Sequence, residues 1–176
     1  AYVDDFTEPT GSTTSFLYSC ANVETTQRLL RLDNGKPTFM RAPGEATGSF
    51  ALESAVDELA YKLNIDPIEL RKKNYAEKDE SKNVPYSSKA LAECYKQGAE
   101  RFGWSRRNPA PRSMRDGNVL IGWGMASATY PVHRMQSSAR ATILENGSAL
   151  IQAGSQDIGT GTYTVMTQIA SNALSL

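Results

Sequence analysis

Two short runs of alternating residues, SSARATILE and SALIQAG, flank Asn146-Gly147. Asn-Gly is a strong short-range hairpin signal, because both residues tolerate the positive φ values of a type I′ turn. An antiparallel hairpin is therefore expected here. A Gly-rich turn, GSQDIGTGT, follows it, and then TYTVMTQIASNALSL, which reads as a helix. A hairpin feeding a glycine turn and a helix excludes an all-helical bundle and points to an α+β fold. Helices would pack on an antiparallel or mixed sheet.

The first half of the chain reads as mostly helical. Its opening fifteen residues form a polar arm or loop, and SFLYSCANVET and QRLLRLD are expected to be extended, ahead of a turn at Asn34–Pro37. In MRAPGE, Ala42 precedes Pro43 and is biased away from helix, while Gly44 adds freedom. The stretch behind it has a helical period, with Leu52, Val56, Leu59 and Leu63 on one face beside Ala55, and Glu53, Asp57, Glu58 and Lys62 pointing elsewhere. The loop thus ends against a helix N-terminus, whose unpaired N–H groups are expected to face outward. Asp66-Pro67 starts a short helix as cap and first residue; Ser88 is expected to cap KALAECYKQGAERF, and Gly103 to end it. RRNPAPRSMRDGN reads as a linker, dividing a helical lobe (1–105) from residues 119–176 across 106–118. VLIGWGMASATYPV reads as a buried, Gly-containing strand.

Composition removes several function classes. Lys+Arg and Asp+Glu each number 19, so a nucleic-acid or anionic-membrane surface is not the expected partner. No apolar run approaches the roughly 20 residues of a membrane helix. The chain opens on Ala1 with a polar, acidic stretch, without a leader pattern, and ends in a helical pattern that lacks a stop signal; we read it as a segment of something longer. Cys20 and Cys94 read as buried thiols, and with the lone His133 they cannot supply the four ligands of an iron–sulfur or zinc site. His133 reads as a surface or packed imidazole, Trp104 and Trp123 as core or interface anchors, and Arg101, Arg106, Arg107, Arg112 and Arg115 as a solvated basic run.

Two places can hold an anion. In GSQDIGTGT, Gly154, Gly159 and Gly161 allow tight folding ahead of a helix N-terminus, although a plain connector would look the same. The nucleotide motifs fail on chemistry: Gly154 and Gly159 have phosphate-loop spacing, but Thr160 stands where Lys is needed, and Thr164 where a dinucleotide loop needs its third Gly. The second place is MRAPGE, which sets an always-charged, five-donor guanidinium on a kinked loop at a helix start.

MRAPGEATGSFALESAVDELAYKLNIDPIELRKKN, followed some 80 residues on by GSQDIGTGTYTVMTQIAS, resembles the large subunit of the xanthine dehydrogenase and aldehyde oxidase family, above all its bacterial aldehyde-oxidoreductase type. The similarity runs from about Phe16 to Leu176. It implies an internal part of a molybdopterin-binding domain, with molybdenum held by the pterin, in some members a cytosine dinucleotide, and by no protein side chain. The implied reaction oxidises aldehydes or N-heterocycles with water as oxygen donor, and electrons leave through iron–sulfur and FAD subunits or domains.

The resemblance puts Arg41 beside the molybdenum centre, and Ile158, Gly159, Thr160 and Gly161 in the stretch that holds the pterin. At Thr160 many relatives place Gln. Pro43 falls where xanthine-oxidising members carry a stacking phenylalanine, which leaves room for an aldehyde; Thr129 and Tyr130 fall near a pocket-wall threonine. The family's general-base glutamate matches no stretch here, and no arginine aligns with the one that orients purines. The isolated chain is therefore expected to be inactive, to lack the cofactor, and to self-associate over surfaces otherwise covered by the rest of the molybdenum subunit. The compartment, cytoplasm or periplasm of a bacterium, is not set by these residues. The other reading is a catalytically inactive structural or interaction domain that shares the fold.

Overall fold

The computed structural model describes residues 7–15, 17–30, 32–35, 38–80, 82–131 and 134–175. His133 lies outside them, as do Lys36 and Pro37 of the expected turn. The fold is α+β, in two compact units, Ala1–Pro131 and Val132–Leu176.

In the first unit, a 3-10 turn, Thr10–Ser15, precedes α1 (Glu45–Leu63), α2 (Pro67–Lys73), a two-residue hairpin β1 (Lys78–Asp79) and β2 (Val84–Pro85), α3 (Leu91–Phe102), and a second small hairpin, β3 (Arg115–Asp116) with β4 (Val119–Leu120). Asp66 caps α2 as expected: its Oδ1 accepts from Ile68 N at 2.8 Å and Glu69 N at 3.3 Å, with Pro67 in the first turn. Gly103 ends α3 at φ 78°. Ser88 does not cap α3; its N-cap is Ala90, without a side-chain bond. The stretches 17–30 and 38–40 are not strands, apart from one bridge between Tyr18 and Tyr75, and 121–131 is an irregular and mostly exposed segment rather than a buried strand. β-prone residues in these stretches find no partner strand among the described residues, and propensity alone does not make a sheet.

The largest departure is on α1. Leu59 and Leu63 are about half exposed, while Glu45, Gly48, Ser49, Glu53 and Ala60 are buried. Two causes turn the helix that way. Glu53 meets the fully buried Arg71 of α2, with its Oε2 2.8 Å from Arg71 Nη2. Gly44 and Gly48, one turn apart, let the 3-10 turn lie on the bare helix: a Cβ built on Gly48 would stand 2.1 Å from Thr10 O, and one on Gly44 2.8 Å from Pro9 O. Cys20 and Cys94 are exposed free thiols, not buried ones.

Arg107 is not a solvated charge. Its Nη2 donates to Tyr61 Oη at 2.5 Å and its guanidinium lies 4.8 Å from the Trp104 ring centroid. Trp104 donates to Asp66 Oδ2 at 2.9 Å, and Trp123 packs edge-on against Phe102, centroids 4.9 Å apart.

The second unit is the hairpin β5 (Ala139–Ile143) and β6 (Ala149–Ala153), with α4 (Thr162–Leu174) against β6. The register pairs Ala141 with Ile151 and Ile143 with Ala149, so one face is apolar, while Arg140 and Gln152 pair on the other. The turn differs in detail from expectation. Gly147 N donates to Leu144 O at 2.9 Å, Leu144 N to Ser148 O at 2.8 Å, and Gly147 has φ 81°, whereas Asn146 is not among the residues with positive φ. This is a three-residue loop whose glycine takes the left-handed position, not a two-residue type I′ turn. No described residue of the unit is fully buried.

Gly48→Ala should lower stability by about 1–3 kcal/mol, the cost of forcing a methyl into packed backbone. Gly98→Ala on α3, where nothing lies within 4 Å, should instead raise it by up to about 1 kcal/mol through helix propensity. Urea unfolding of both variants checks the opposite signs.

Candidate functional site

The candidate residues fall on both units. Arg41 and Pro43 stand on the loop ahead of α1, and Thr129 and Tyr130 on the segment that ends the first unit. Ile158, Gly159, Thr160 and Gly161 form the turn between β6 and α4 in the second.

Ala42 has φ 59° and Gly44 φ 85°. Biased away from right-handed helix before Pro43, Ala42 takes the left-handed conformation, which costs a non-glycine residue about 1–2 kcal/mol. The kink is held from both sides. Ala46 N donates to Ala42 O at 3.0 Å, and Gly44 N and Thr47 Oγ1 donate to Glu8 Oε2 at 3.1 and 3.2 Å. Glu8 thus brings its carboxylate from 36 residues upstream to the positive end of α1, which has no side-chain cap of its own. The helix N-terminus does not face outward unpaired, as expected from the sequence. Arg41 is exposed and makes no hydrogen bond or ion pair with other described residues, so its donors are available.

Thr129 is half-buried and lines a cavity of about 300 Å³ with Leu17, Tyr86, Lys89, Leu91 and Cys94. Tyr130 is exposed. Lys89 holds one side of this cavity. Its Nζ donates to Ala76 O at 2.5 Å and lies 4.3 Å from the Tyr75 and 4.6 Å from the Tyr86 ring centroids. Burial pulls the Lys89 ammonium below its ordinary pKa, against the opposing pull of Glu77.

In the glycine turn, Gly159 (φ 92°) and Gly161 (φ 76°) take the left-handed conformation that their residue type allows. Their N–H groups do not point at solvent. Asp157 Oδ1 accepts from Gly159 N at 2.7 Å and from Thr160 N at 3.1 Å. Thr162 Oγ1 bonds to Gln156 O at 3.2 Å and to Thr160 Oγ1 at 3.0 Å, closing the turn. The Gly159 amide leads a set of backbone donors, Gly161, Thr160 and Thr162 among them, that holds the Asp157 carboxyl below its ordinary pKa. The turn is therefore closed by its own carboxylate, which takes up the amides that an outside anion would need. Ile158 projects into solvent at 70% exposure. Among the described residues no group of three or more His, Cys, Asp or Glu could hold a metal, and no helix is long and apolar enough to cross a membrane.

Sequence reasoning found the loop and the turn, but not Glu8, Glu53 or Asp157. Asp157 carried a usable signal: an Asp two residues ahead of a glycine is the pattern of a side chain bonding forward to its own backbone. Glu8 carried none, because it acts across 36 residues.

Two models described as molybdopterin cofactor-binding domain match the chain, one over residues 2–75 and the other over 97–176. The chain is similar to the aldehyde oxidoreductase molybdenum-binding subunit PaoC of Escherichia coli (strain K12), 42% identical over 90% of this chain and 22% of that protein. It is also similar to the putative xanthine dehydrogenase molybdenum-binding subunit XdhA of the same strain, 33% identical over 77% of this chain and 19% of that subunit. Probable aldehyde oxidase 3 of Oryza sativa subsp. japonica is 28% identical over 84% of this chain and 11% of that protein. The chain thus spans about a fifth or less of the length of these curated relatives.

Asp157→Ala should expose the amides of Gly159 and Thr160, seen as faster hydrogen exchange by NMR. In the unaltered chain the bonds belong to the carboxylate form, whose folded pKa is depressed. They are complete above the ordinary carboxylate range and are lost as pH falls through the lowered value, so acid should reproduce the variant's amide shifts.

Proposed function

The chain belongs to the family of molybdopterin cofactor-binding domains, and from that premise we propose that it forms one wall of the cofactor pocket in a molybdenum-dependent hydroxylase that oxidises aldehydes. The observation that carries this reading is the convergence of the Gly159 and Thr160 amides on one carboxylate oxygen. A donor set that holds Asp157 fits an anionic oxygen of a pterin in chemistry once the carboxylate gives up its place. The two left-handed glycines keep side chains out of its way.

In this reading the backbone of Ile158, Gly159, Thr160 and Gly161 holds the pterin. Arg41 offers its unengaged guanidinium to negative charge beside the metal. Thr129 and Tyr130 form a side of the substrate pocket. Pro43 supplies no aromatic face for a purine, and the 42% identity to an aldehyde oxidoreductase subunit favours an aldehyde over an N-heterocycle. When bound, the cofactor supplies the oxygen-transfer and two-electron chemistry, with water as oxygen source. The general-base glutamate, the iron–sulfur and FAD partners and a cytosine dinucleotide tail on the pterin belong to this reading as features of a longer protein. The chain by itself is then inactive and cofactor-free.

The test is to express the longest reading frame that contains this segment and measure its molybdenum by mass spectrometry. Roughly one metal per chain is expected, lost when Gly159 and Gly161 are replaced by Val. Arg41→Ala should lower turnover by about a hundredfold or more, as loss of a charge-stabilising donor does, while the melting temperature stays put. Absence of metal would leave a fold relative without the chemistry. An Arg41 variant that unfolds would make that residue structural.

The 176-residue chain should also self-associate, because Ile143, Ile158, Tyr163 and Ile169 of the second unit are each 59–70% exposed. Light scattering that reports a monomer at high micromolar concentration would reject this.

A further inference from the structure

Residues 122–131 form neither helix nor strand. They are fastened by side chains that reach in from elsewhere. Arg107 Nε donates to Trp123 O at 3.3 Å, Ser127 N donates to Glu53 Oε2 at 2.7 Å, and Ser127 Oγ shares a 2.5 Å hydrogen bond with Tyr95 Oη. Ser127 is only 4% exposed, while Ala126 and Ala128 on either side are exposed. The segment is therefore held at Trp123 and, nearer Thr129, at Ser127, where the backbone is fastened by a carboxylate of α1.

That carboxylate is fully engaged. Its Oε1 accepts from the Tyr18 hydroxyl, and its Oε2 accepts from Arg71 Nε at 2.8 Å as well as from Ser127 N. Three donors share its two oxygens, and because the Tyr18 hydroxyl can also accept, a glutamine could keep its oxygen on Ser127 N; only removal of the carboxyl breaks the contact. Glu53 lies about 12 Å along α1 from its first residue, a helical rise with no hinge in between. The Arg41–Pro43 loop stands at that first residue.

We propose that Glu53 is a positioning residue for the substrate pocket. It ties the segment that bears Thr129 and Tyr130 to the helix that carries Arg41 and Pro43 at its head, so both parts of the wall share one rigid reference. Thr129 and Tyr130 follow the pin by two and three residues, within the reach of its constraint. The proposal rests on the reading that these residues face substrate.

The experiment uses the 176-residue chain and needs no cofactor, so an absence of molybdenum in the longer protein and a failure of this proposal are separate results. Amide exchange is followed by mass spectrometry in the unaltered chain, Glu53→Ala and Ser127→Pro. In both variants exchange over residues 124–131 should rise about tenfold to a hundredfold through loss of the hydrogen bond to the charged group, Ser127→Pro giving up the Oγ bond to Tyr95 as well. In Ser127→Pro, α2 should keep its protection, because the Glu53–Arg71 pair is untouched. Ser127→Pro removes the N–H and spares the ion pair, and beside Ser127→Ala, which gives up only the Oγ bond to Tyr95 and should raise exchange less, it keeps the test decisive if Glu53→Ala fails to fold. In fluorotyrosine-labelled chain, the Tyr130 resonance, identified by Tyr130→Phe, should shift and narrow in the same variants. Unchanged protection and an unmoved Tyr130 resonance in a folded variant would overturn the proposal. So would loosening that Ser127→Pro spreads equally through α1 and α2, which would make the Glu53–Ser127 bond a matter of general stability.

Discussion

A buried ion pair organises the first unit. Arg71 is fully buried and Glu53 nearly so, and two charges taken out of water cost several kcal/mol each, of order ~5, unless their bonding is complete. Here it is. Arg71 spends its donors on Glu53, on Asp57 at 2.8 Å, on Pro67 O at 3.0 Å and on Glu53 O at 3.3 Å. Burial works against the guanidinium charge, and the bonds to Asp57 and Glu53 outweigh it, so its pKa rises. Burial, and then the bond to Glu53, also push the Tyr18 phenol well above its ordinary range. The pair joins residues far apart in sequence, Tyr18, Glu53, Arg71 and Ser127. An apolar replacement could supply equal stability but not this directional linkage.

The same pair explains which parts of the fold were legible. The Ser88 cap and the type I′ turn aside, signals that act within a few residues were read correctly: the Asn146-Gly147 hairpin, the Asp66-Pro67 cap, the Gly103 stop and the glycine turn all follow from local sterics and bonding. Signals that act across the chain were not. An apolar stripe assigned Leu59 and Leu63 to the core and Glu53 to solvent, and the partner that reverses this stands 18 residues away on another helix. VLIGWG reads as a buried strand because apolar residues normally need cover; only Val119 and Leu120 pair, with the two-residue β3, and the rest finds no partner strand among the described residues. The motifs located the candidate site, whereas the groups that hold it in place, Glu8, Glu53 and Asp157, could be seen only in three dimensions.

The two candidate anion sites are built alike. Each sets backbone amides at the head of a helix against a carboxylate of the chain: Glu8 at α1 and Asp157 before α4. The difference is reach. Asp157 bonds two residues forward and can form with the turn itself, whereas Glu8 must be delivered by the 3-10 turn packed on α1. The geometry of the Arg41 loop therefore depends on tertiary structure, and that of the glycine turn does not.

The glycine contact between α1 and the 3-10 turn has a thermodynamic character of its own. Where most packing immobilises side chains, at a cost of up to about 2 kcal/mol of rotamer entropy each, Gly44 and Gly48 bring backbone against backbone and freeze no rotamer. The entropy was spent in holding glycine in a helix. The contact is consequently short-ranged and steep in distance. It stays rigid until the turn lifts away and then vanishes altogether, which makes the hold on Glu8, and through it on the Arg41 loop, close to all-or-none.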